Sequence, residues 1–389
     1  MEILISTYKR LLNNINTDFI RYIHSEIEWE NRLIAIVGAR GIGKTTLLLQ
    51  HIKLYDDINT SLFVFADNMY FTEHSLFELA LKFYQNGGEK IYIDEIHKYK
   101  NWSREIKNIY DEIPNLNIIY TGSSILDLEN NGADLSRRKL QYYMYGLSFR
   151  EYLEMLESIQ IPIHKFDDVL SNNIEFPYER RPVFLFHKYL QEGYYPFFKE
   201  KGYLEKLRNV INQTIEVDIP QFANMSVGTI RKLRQLLYII SKSVPFKPNI
   251  SKISNDLDMS RNNMRDILFF LEKAGIISQI RNDTGGIKLL GKVEKVILDN
   301  TNLSYALSQK ETNIGNIRET FFYSVMKVTK DVFASKVSDF AIDDFIFEVG
   351  GKNKGQQQIA SAKNAYVVKD DIEYGTANII PLWAFGLTY

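Results

Sequence analysis

Short apolar runs alternate with segments that are apolar at helical spacing through the first third of the chain. The apolar runs are 33-LIAIV-37, 62-LFVFA-66, 90-KIYID-94 and 117-NIIYT-121. The clearest helical patterns between them are 74-HSLFELALKFYQN-86 and 102-WSREIKNIYDEI-113. Strands that alternate with helices form a mostly parallel sheet covered on both faces. The pattern therefore predicts an α/β domain, preceded by a helical segment over residues 1 to about 30.

After Thr121 the alternation stops, and residues 135 to 245 are predicted to be mainly helical. Residues 249–298 predict a short helix, a turn, a longer helix and a hairpin, with Ser260 capping the longer helix and Gly275 ending it. The last ninety residues predict a helix around 314–327, followed by short strands at 345–349 and 365–369.

Composition excludes several classes of protein. The chain has 389 residues, enough for two to four domains, and its 47 basic residues nearly balance its 48 acidic ones. It has no cysteine, which excludes disulfides, thiolate zinc sites and a cysteine nucleophile. The six histidines are scattered singly. No apolar run approaches the roughly 18 residues that span a bilayer, and the start lacks a signal-peptide pattern. We therefore expect a cytoplasmic protein with no membrane partner.

Three glycines, a lysine and two threonines are crowded between the first strand and the next helix, in 36-IVGARGIGKTT-46. The spacing Gly38-x-x-x-x-Gly43-Lys44-Thr45, in this strand-to-helix setting, is typical of a phosphate-binding loop. Lys44 is predicted to reach the β- and γ-phosphates of ATP, and the Thr45 hydroxyl to hold Mg²⁺. The alternative is an accidental glycine-rich turn. The predicted nucleotide-binding residues of the loop are Gly38, Ala39, Arg40, Gly41, Ile42, Gly43, Lys44, Thr45 and Thr46.

Two carboxylates follow the third apolar run. Asp94 is predicted to hold Mg²⁺ through water, and Glu95 to polarise the water that attacks the γ-phosphate. A solvated acidic strand end is the alternative. The fourth run ends in 117-NIIYTGSS-124, where Thr121 or Ser123 either contacts the γ-phosphate or is a plain turn residue.

Arg137 and Arg138 follow in 135-LSRRKLQ-141. An arginine supplied to a neighbouring active site stabilises the charge of the transition state, so Arg138 is a candidate for that role. The alternative is a pair of surface arginines.

These motifs together resemble those of the prokaryotic AAA-type ATPases that carry a further domain after the ATPase core. The resemblance also covers 147-LSFREYL-153, 189-YLQEGYYP-196, 298-LDNTNLSYAL-307 and 313-NIGNIRETFFY-323, and hence nearly the whole chain. It implies the roles already given for Lys44, Thr45, Asp94 and Glu95, with Thr121 as the polar sensor. Relatives often have two consecutive arginines in the loop, whereas here Gly41 follows Arg40. AAA-type sites often borrow an arginine from a neighbour, which makes a homo-oligomer a candidate assembly.

Residues 249–298 resemble a winged helix-turn-helix, a frequent neighbour of this ATPase core. The polar start of its longer helix, Ser260 to Asn263, is suited to base edges, and its hairpin to the DNA backbone. Residues 245–295 contain nine basic and six acidic residues, a modest net charge of +3. Winged helices also dock proteins, so both partners remain open.

The end of the chain resembles a restriction-endonuclease-type fold, in which one Asp and one Glu share Mg²⁺ and a Lys orients the attacking water. The matching residues are Glu319, Asp339, Glu348 and Lys352, with Asp344 as a rival first acid. These enzymes usually place the lysine two residues after the acid, where this chain has Gly350. A degenerate nuclease fold retained for packing or binding is the alternative to an active one.

The predicted organisation is an ATPase core at 1–135, a helical lid or linker at 136–245, a winged helix at 246–298 and a small α+β nuclease-like domain at 299–389. The leading hypothesis is a Mg²⁺-dependent ATPase that couples ATP turnover to DNA engagement. The alternatives are a nucleotide-switched signalling or defence module that docks proteins, and a nuclease gated by ATP.

Overall fold

The protein is described from a computed structural model, which covers residues 1–123, 135–223, 225–242, 250–283, 292–308, 312–360 and 362–389. The chain divides into two compact units, Met1–Tyr145 and Gly146–Tyr389. None of the helices within those residues is long and apolar enough to cross a bilayer.

The first unit is built on a parallel sheet. Its strands are β1 Leu33–Val37, β2 Ser61–Phe65, β3 Lys90–Asp94, β4 Asn117–Gly122 and β5 Leu140–Tyr143, in the spatial order β2-β3-β4-β1-β5. Its helices are α1 Glu2–Asn14, α2 Lys44–Tyr55, α3 Leu76–Gln85 and α4 Trp102–Glu112. All of β1 is buried, as expected for a central parallel strand with both faces covered. The structure therefore confirms the predicted α/β class and the four predicted strands.

The strand β5 was not predicted, because residues 135 to 245 were expected to be mainly helical. It pairs with β1 at the edge of the sheet and is only half-buried, so its short sequence LQYY has no continuous apolar run. The first compact unit, Met1–Tyr145, includes this strand.

The second unit begins with helices. They are α5 Phe149–Glu157, α6 Phe166–Leu170, α7 Pro182–Glu192, α8 Tyr203–Gln213, α9 Ile219–Ala223 and α10 Val227–Lys242. The LSFREYL motif starts α5 with a capping box, in which Ser148 and Glu151 each accept a backbone hydrogen bond from the other.

A helix pair and a hairpin follow, formed by α11 Ile250–Asp256, α12 Arg261–Lys273, β6 Ile277–Arg281 and β7 Val293–Leu298. Ser260 caps α12 by accepting from the Asn263 amide at 3.1 Å, and Gly275 has a positive φ of 71° after its end, as predicted. The middle of the predicted hairpin, residues 284–291, lies outside the described residues.

The unit ends in a mixed sheet beside two helices. The helices are α13 Thr301–Leu307 and α14 Ile314–Met326, and the strands are β8 Phe333–Ala334, β9 Phe340–Ile342, β10 Phe345–Gly350, β11 Ala365–Lys369 and β12 Ile379–Pro381. Their order is β12-β11-β10-β9-β8, with β10, β11 and β12 parallel to one another. The helix predicted around 314–327 and the strands predicted at 345–349 and 365–369 are confirmed.

Candidate functional site

The glycine-rich loop connects β1 to α2, and its backbone explains its composition. Gly41 and Gly43 have φ values of 82° and 97°, in the left-handed region that other residues rarely adopt. At Gly38 a Cβ would lie 2.3 Å from the carbonyl oxygen of Met144, so no side chain fits. Gly43 is the N-cap of α2, and the loop therefore delivers its backbone amides to a helix N-terminus, where an anion is favoured.

Lys44 is the first residue of α2, and its side chain turns back over the loop. Its Nζ donates to the carbonyl oxygens of Gly38 at 2.9 Å and Ala39 at 2.8 Å. The ammonium is thereby held against the backbone of the loop, where a bound phosphate would be within its reach.

A chain of hydrogen bonds joins the loop to the ends of β3 and β4. Thr45 Oγ1 donates to Asp94 Oδ2 at 2.7 Å, and Thr121 Oγ1 donates to Asp94 Oδ1 at 2.5 Å. The Thr121 hydroxyl also accepts from the Glu95 amide at 3.0 Å. Asp94 is 2% exposed, and burial raises its pKa although both hydroxyls lower it. The structure therefore brings together Thr45, Asp94 and Thr121, three of the predicted site residues.

Glu95 is held by a lysine that the sequence did not single out. Lys98, in the 3₁₀ turn Ile96–Lys98, forms ion pairs with the Glu95 carboxylate and with Asp67 Oδ2, the latter at 2.8 Å. Burial raises the pKa of Glu95, but the hydrogen bond and charge of Lys98, together with the charge of Arg40, lower it further than burial raises it. Glu95 also has a φ of 52°, in the left-handed region that residues other than glycine rarely adopt.

The structure does not bring Arg138 to this loop. Its guanidinium pairs with Asp111 at 3.2 Å and lies near the Tyr110 ring, at the end of α4. Arg138 precedes Leu140, which is paired with Ile34 near the start of β1. The loop follows the opposite end of β1, roughly 15 Å away along a strand of this length.

A second group of predicted residues meets in the second unit. Glu319 on α14, Asp339 just before β9 and Glu348 on β10 all line one cleft of about 870 Å³. Asp344 and Lys352 are exposed and are not among its lining residues. The prediction that Lys352 joins these acids is therefore not borne out, because β10 ends at Gly350 and the chain turns away after it.

Two other lysines reach these acids. Lys295, on β7, donates to Glu319 Oε2 at 2.9 Å and to Asp339 Oδ1 at 3.3 Å. Lys354 pairs with Glu348. A Cβ built on Gly350 would lie 2.6 Å from Cγ of Lys354, so the missing side chain makes room for this lysine to run back to Glu348. The sequence signal for Lys295 is a lysine inside the apolar run 293-VEKVIL-298.

The start of α12 is open to solvent. Arg261, Asn262, Asn263 and Arg265 are all exposed, as is the aromatic Phe269. Two of the nine basic residues counted above are engaged elsewhere, because Arg281 pairs with Glu272 at 3.0 Å and Lys295 lies in the cleft.

A five-stranded parallel sheet with this loop after its buried strand β1 defines a P-loop NTPase fold. Residues 30–153 match the model of the AAA domain family, and this part of the chain is a AAA-type P-loop domain. Residues 183–313 match a domain of unknown function, DUF8612. These two matches confirm the predicted resemblance to AAA-type ATPases that carry a further domain.

Among curated proteins, the chain is similar to the uncharacterized protein MJ1637 of Methanocaldococcus jannaschii, with 27% identity over 303 residues. That alignment covers 72% of this chain and 63% of the relative, so the chain spans less than two thirds of the relative's length.

Similar solved structures include AMPPCP-bound DnaA from Aquifex aeolicus, at 16% identity, with 69% of this chain and 86% of that chain covered and a TM-score of 0.29. The Hsp104–ADP complex of S. cerevisiae is 17% identical, with 70% of this chain and 39% of that chain covered and a TM-score of 0.29.

Proposed function

We propose that this protein binds ATP at the loop between β1 and α2 and hydrolyses it at the adjacent ends of β3 and β4. The observation that carries the proposal is the hydrogen-bonded chain from Thr45 through Asp94 to Thr121. It places a hydroxyl and a buried carboxylate beside a loop whose amides and lysine suit a triphosphate. Few other ligands need an anion-binding loop and a metal-binding carboxylate side by side.

Each residue has a distinct part. The loop amides and Lys44 bind and orient the β- and γ-phosphates, and Glu95 accepts a proton from the attacking water. Thr121 fixes the Asp94 carboxylate and the Glu95 backbone through one hydroxyl. Thr45 and Asp94 would hold Mg²⁺, which, when bound with the nucleotide, supplies positive charge to the phosphates.

The test is ATP binding and turnover by the full chain and by Lys44→Met. We expect the variant to lose measurable turnover and to bind ATP at least tenfold more weakly. Lys53→Met is the matched control, because Lys53 lies on the same helix and donates to the Ile15 carbonyl oxygen, outside the loop. Equal turnover by the parent and Lys44→Met would overturn the proposal.

We further propose that the second unit engages DNA through the exposed start of α12. Arg261, Asn262, Asn263 and Arg265 are exposed donors on one helix end, a composition suited to a major groove. DNA affinity should fall steeply with salt, since each phosphate contact releases counterions. The test measures DNA affinity over a range of salt concentrations, without nucleotide, with ADP and with a non-hydrolysable ATP analogue. The variant is Arg261→Ala/Arg265→Ala, and the control is Arg104→Ala, which changes an exposed arginine elsewhere in the chain. Undetectable binding by the parent in all three states would contradict it.

The second candidate is a nucleotide-switched module that docks a protein through the same surface. The observation that favours it is Phe269, which is 40% exposed on α12 among these polar residues. This candidate predicts slow turnover, tight nucleotide retention and negligible DNA affinity. Self-association, which would let a second copy supply an arginine, stays a prediction that sedimentation with and without ATP tests.

A further inference from the structure

The carboxylates of the C-terminal cleft are the groups that a nuclease-like fold would use to hold a divalent cation. Glu319, Asp339 and Glu348 line the same cleft, and Lys354 returns to Glu348 from beyond Gly350. Most of the constellation expected from the resemblance is therefore assembled. Whether a metal fits depends on the space between Glu319 and Asp339.

That space is occupied by the ammonium of Lys295. Its Nζ lies 2.9 Å from Glu319 Oε2 and 3.3 Å from Asp339 Oδ1, and Lys295 is 8% exposed. The same Nζ lies 5.2 Å from the centre of the Phe340 ring, so the lysine is also held by an aromatic face. One cation thus already bridges the two acids.

Two further carboxylate oxygens of these acids have partners as well. Asp339 Oδ2 accepts from the Val349 amide at 2.9 Å, and Glu348 Oε2 accepts from Ser338 Oγ at 2.7 Å. A divalent ion bound to Glu319 and Asp339 would sit within a few ångströms of the Lys295 ammonium, and like charges at that distance repel strongly in a buried site. Mg²⁺ also gives up its water reluctantly, which makes it a weak competitor for acids that are already paired.

We infer that Lys295 holds the place between Glu319 and Asp339 that a divalent cation would have to take, so this cleft excludes Mg²⁺ and Mn²⁺ while the lysine remains there. The three acids of the cleft are therefore paired with lysines rather than with a metal. Lys295 belongs to β7, the strand that pairs with β6 after α12. The net charge of the cleft therefore depends on the position of the hairpin formed by β6 and β7.

The experiment counts Mn²⁺ bound per chain by electron paramagnetic resonance, on full-length protein free of nucleotide. It therefore does not depend on ATP binding or turnover. We expect Lys295→Met to bind one more Mn²⁺ than the parent, and Lys295→Met/Glu319→Gln to lose that additional ion. Lys292→Met is the control, since Lys292 lies just before the same strand, is exposed and does not line the cleft; it should bind the same number of ions as the parent.

A second measurement does not require the lysine variant to fold. Glu319→Gln in the parent background should leave the Mn²⁺ count unchanged, because Glu319 holds a lysine rather than a metal. A lower count in this variant would overturn the inference. So would a folded Lys295→Met, verified by circular dichroism, that gains no ion.

Discussion

Lys98 and Glu95 form an ion pair at the carboxyl end of β3, so the residue proposed to activate water carries a cation on its carboxylate. Asp67 offers the same lysine a second carboxylate, at 2.8 Å. Asp67 would therefore keep the lysine paired if Glu95 turned toward a bound nucleotide.

Removing that cation should make Glu95 a stronger base. We expect Lys98→Met to raise the kcat of ATP hydrolysis by about two- to tenfold, because the pKa of Glu95 is no longer lowered by the lysine. The ATP dissociation constant should hardly change, since Lys98 is not part of the loop. Exposed Lys100→Met is the matched control. A drop in kcat for Lys98→Met would show instead that the ion pair positions Glu95 for the reaction.

Thr121 is expected to matter for both folding and turnover. Thr121→Val keeps the shape but leaves Asp94 Oδ1 and the Glu95 amide without their hydroxyl partner. Leaving a buried polar group unsatisfied costs about 1–3 kcal/mol in the free energy of unfolding. Denaturant unfolding and steady-state ATPase assays measure the two effects. Thr121→Ser restores the hydroxyl and should recover most of the stability and most of the ATPase activity. If Thr121→Val is as stable and as active as the parent, Thr121 is not part of the site.

The alternation of apolar runs was sufficient to predict the first unit because each central strand is buried on both faces. The glycine-rich loop could also be predicted from the sequence, because its positive φ values and its close approach to Met144 require glycine at these positions. The edge strand β5 was missed because a half-buried strand of four residues carries no such run.

Side-chain partners were harder to predict than backbone elements. A lysine reaches several ångströms from its own backbone, so its position in the sequence does not fix which acid it meets. Lys98, Lys295 and Lys354 each take a role that depends on tertiary packing. The predicted functions of the individual site residues stay predictions until the variants are measured.

Asn302, in the motif 298-LDNTNLSYAL-307, forms hydrogen bonds to the motif 189-YLQEGYYP-196. These bonds explain why the two motifs, which carry no evident chemistry, occur together in this chain. The amide nitrogen of Asn302 donates to the carbonyl oxygens of Tyr189 and Leu190 at 3.2 and 2.9 Å, and its carbonyl oxygen accepts from the Tyr194 amide and the Tyr203 hydroxyl. It is fully buried, so Asn302→Ala should lower the free energy of unfolding by about 2–4 kcal/mol or more. Chemical denaturation checks this. Exposed Asn255→Ala should cost less than about 0.5 kcal/mol, and similar losses for both would contradict the role of Asn302.

A buried histidine should make the first unit sensitive to acid. His51 stacks on Trp29 with ring centres 3.7 Å apart, and its pKa is lowered to about 4, chiefly by burial. The neighbouring charges of His24 and Lys90 also lower this pKa, whereas Asp56 raises it.

The sign of the pH effect follows from that pKa. Between an unfolded pKa near 6.5 and about 4, the unfolded chain binds a proton at His51 that the folded chain does not. Stability should therefore fall with decreasing pH in this window, by up to about 1.4 kcal/mol per pH unit for one proton. Denaturant unfolding between pH 7 and pH 4 measures the slope. His51→Gln should reduce the slope, while exposed His74→Gln should leave it as in the parent; an equal slope in His51→Gln would remove this residue as the cause.

We propose that the triphosphate of ATP lies along the loop from Gly38 to Thr46. A crystal structure of the full chain with a non-hydrolysable ATP analogue and Mg²⁺ tests it most directly. We expect phosphate oxygens on the loop amides and Lys44, with the metal beside Thr45 and Asp94. An analogue bound elsewhere, or a loop that stays without nucleotide at saturating concentration, would contradict it.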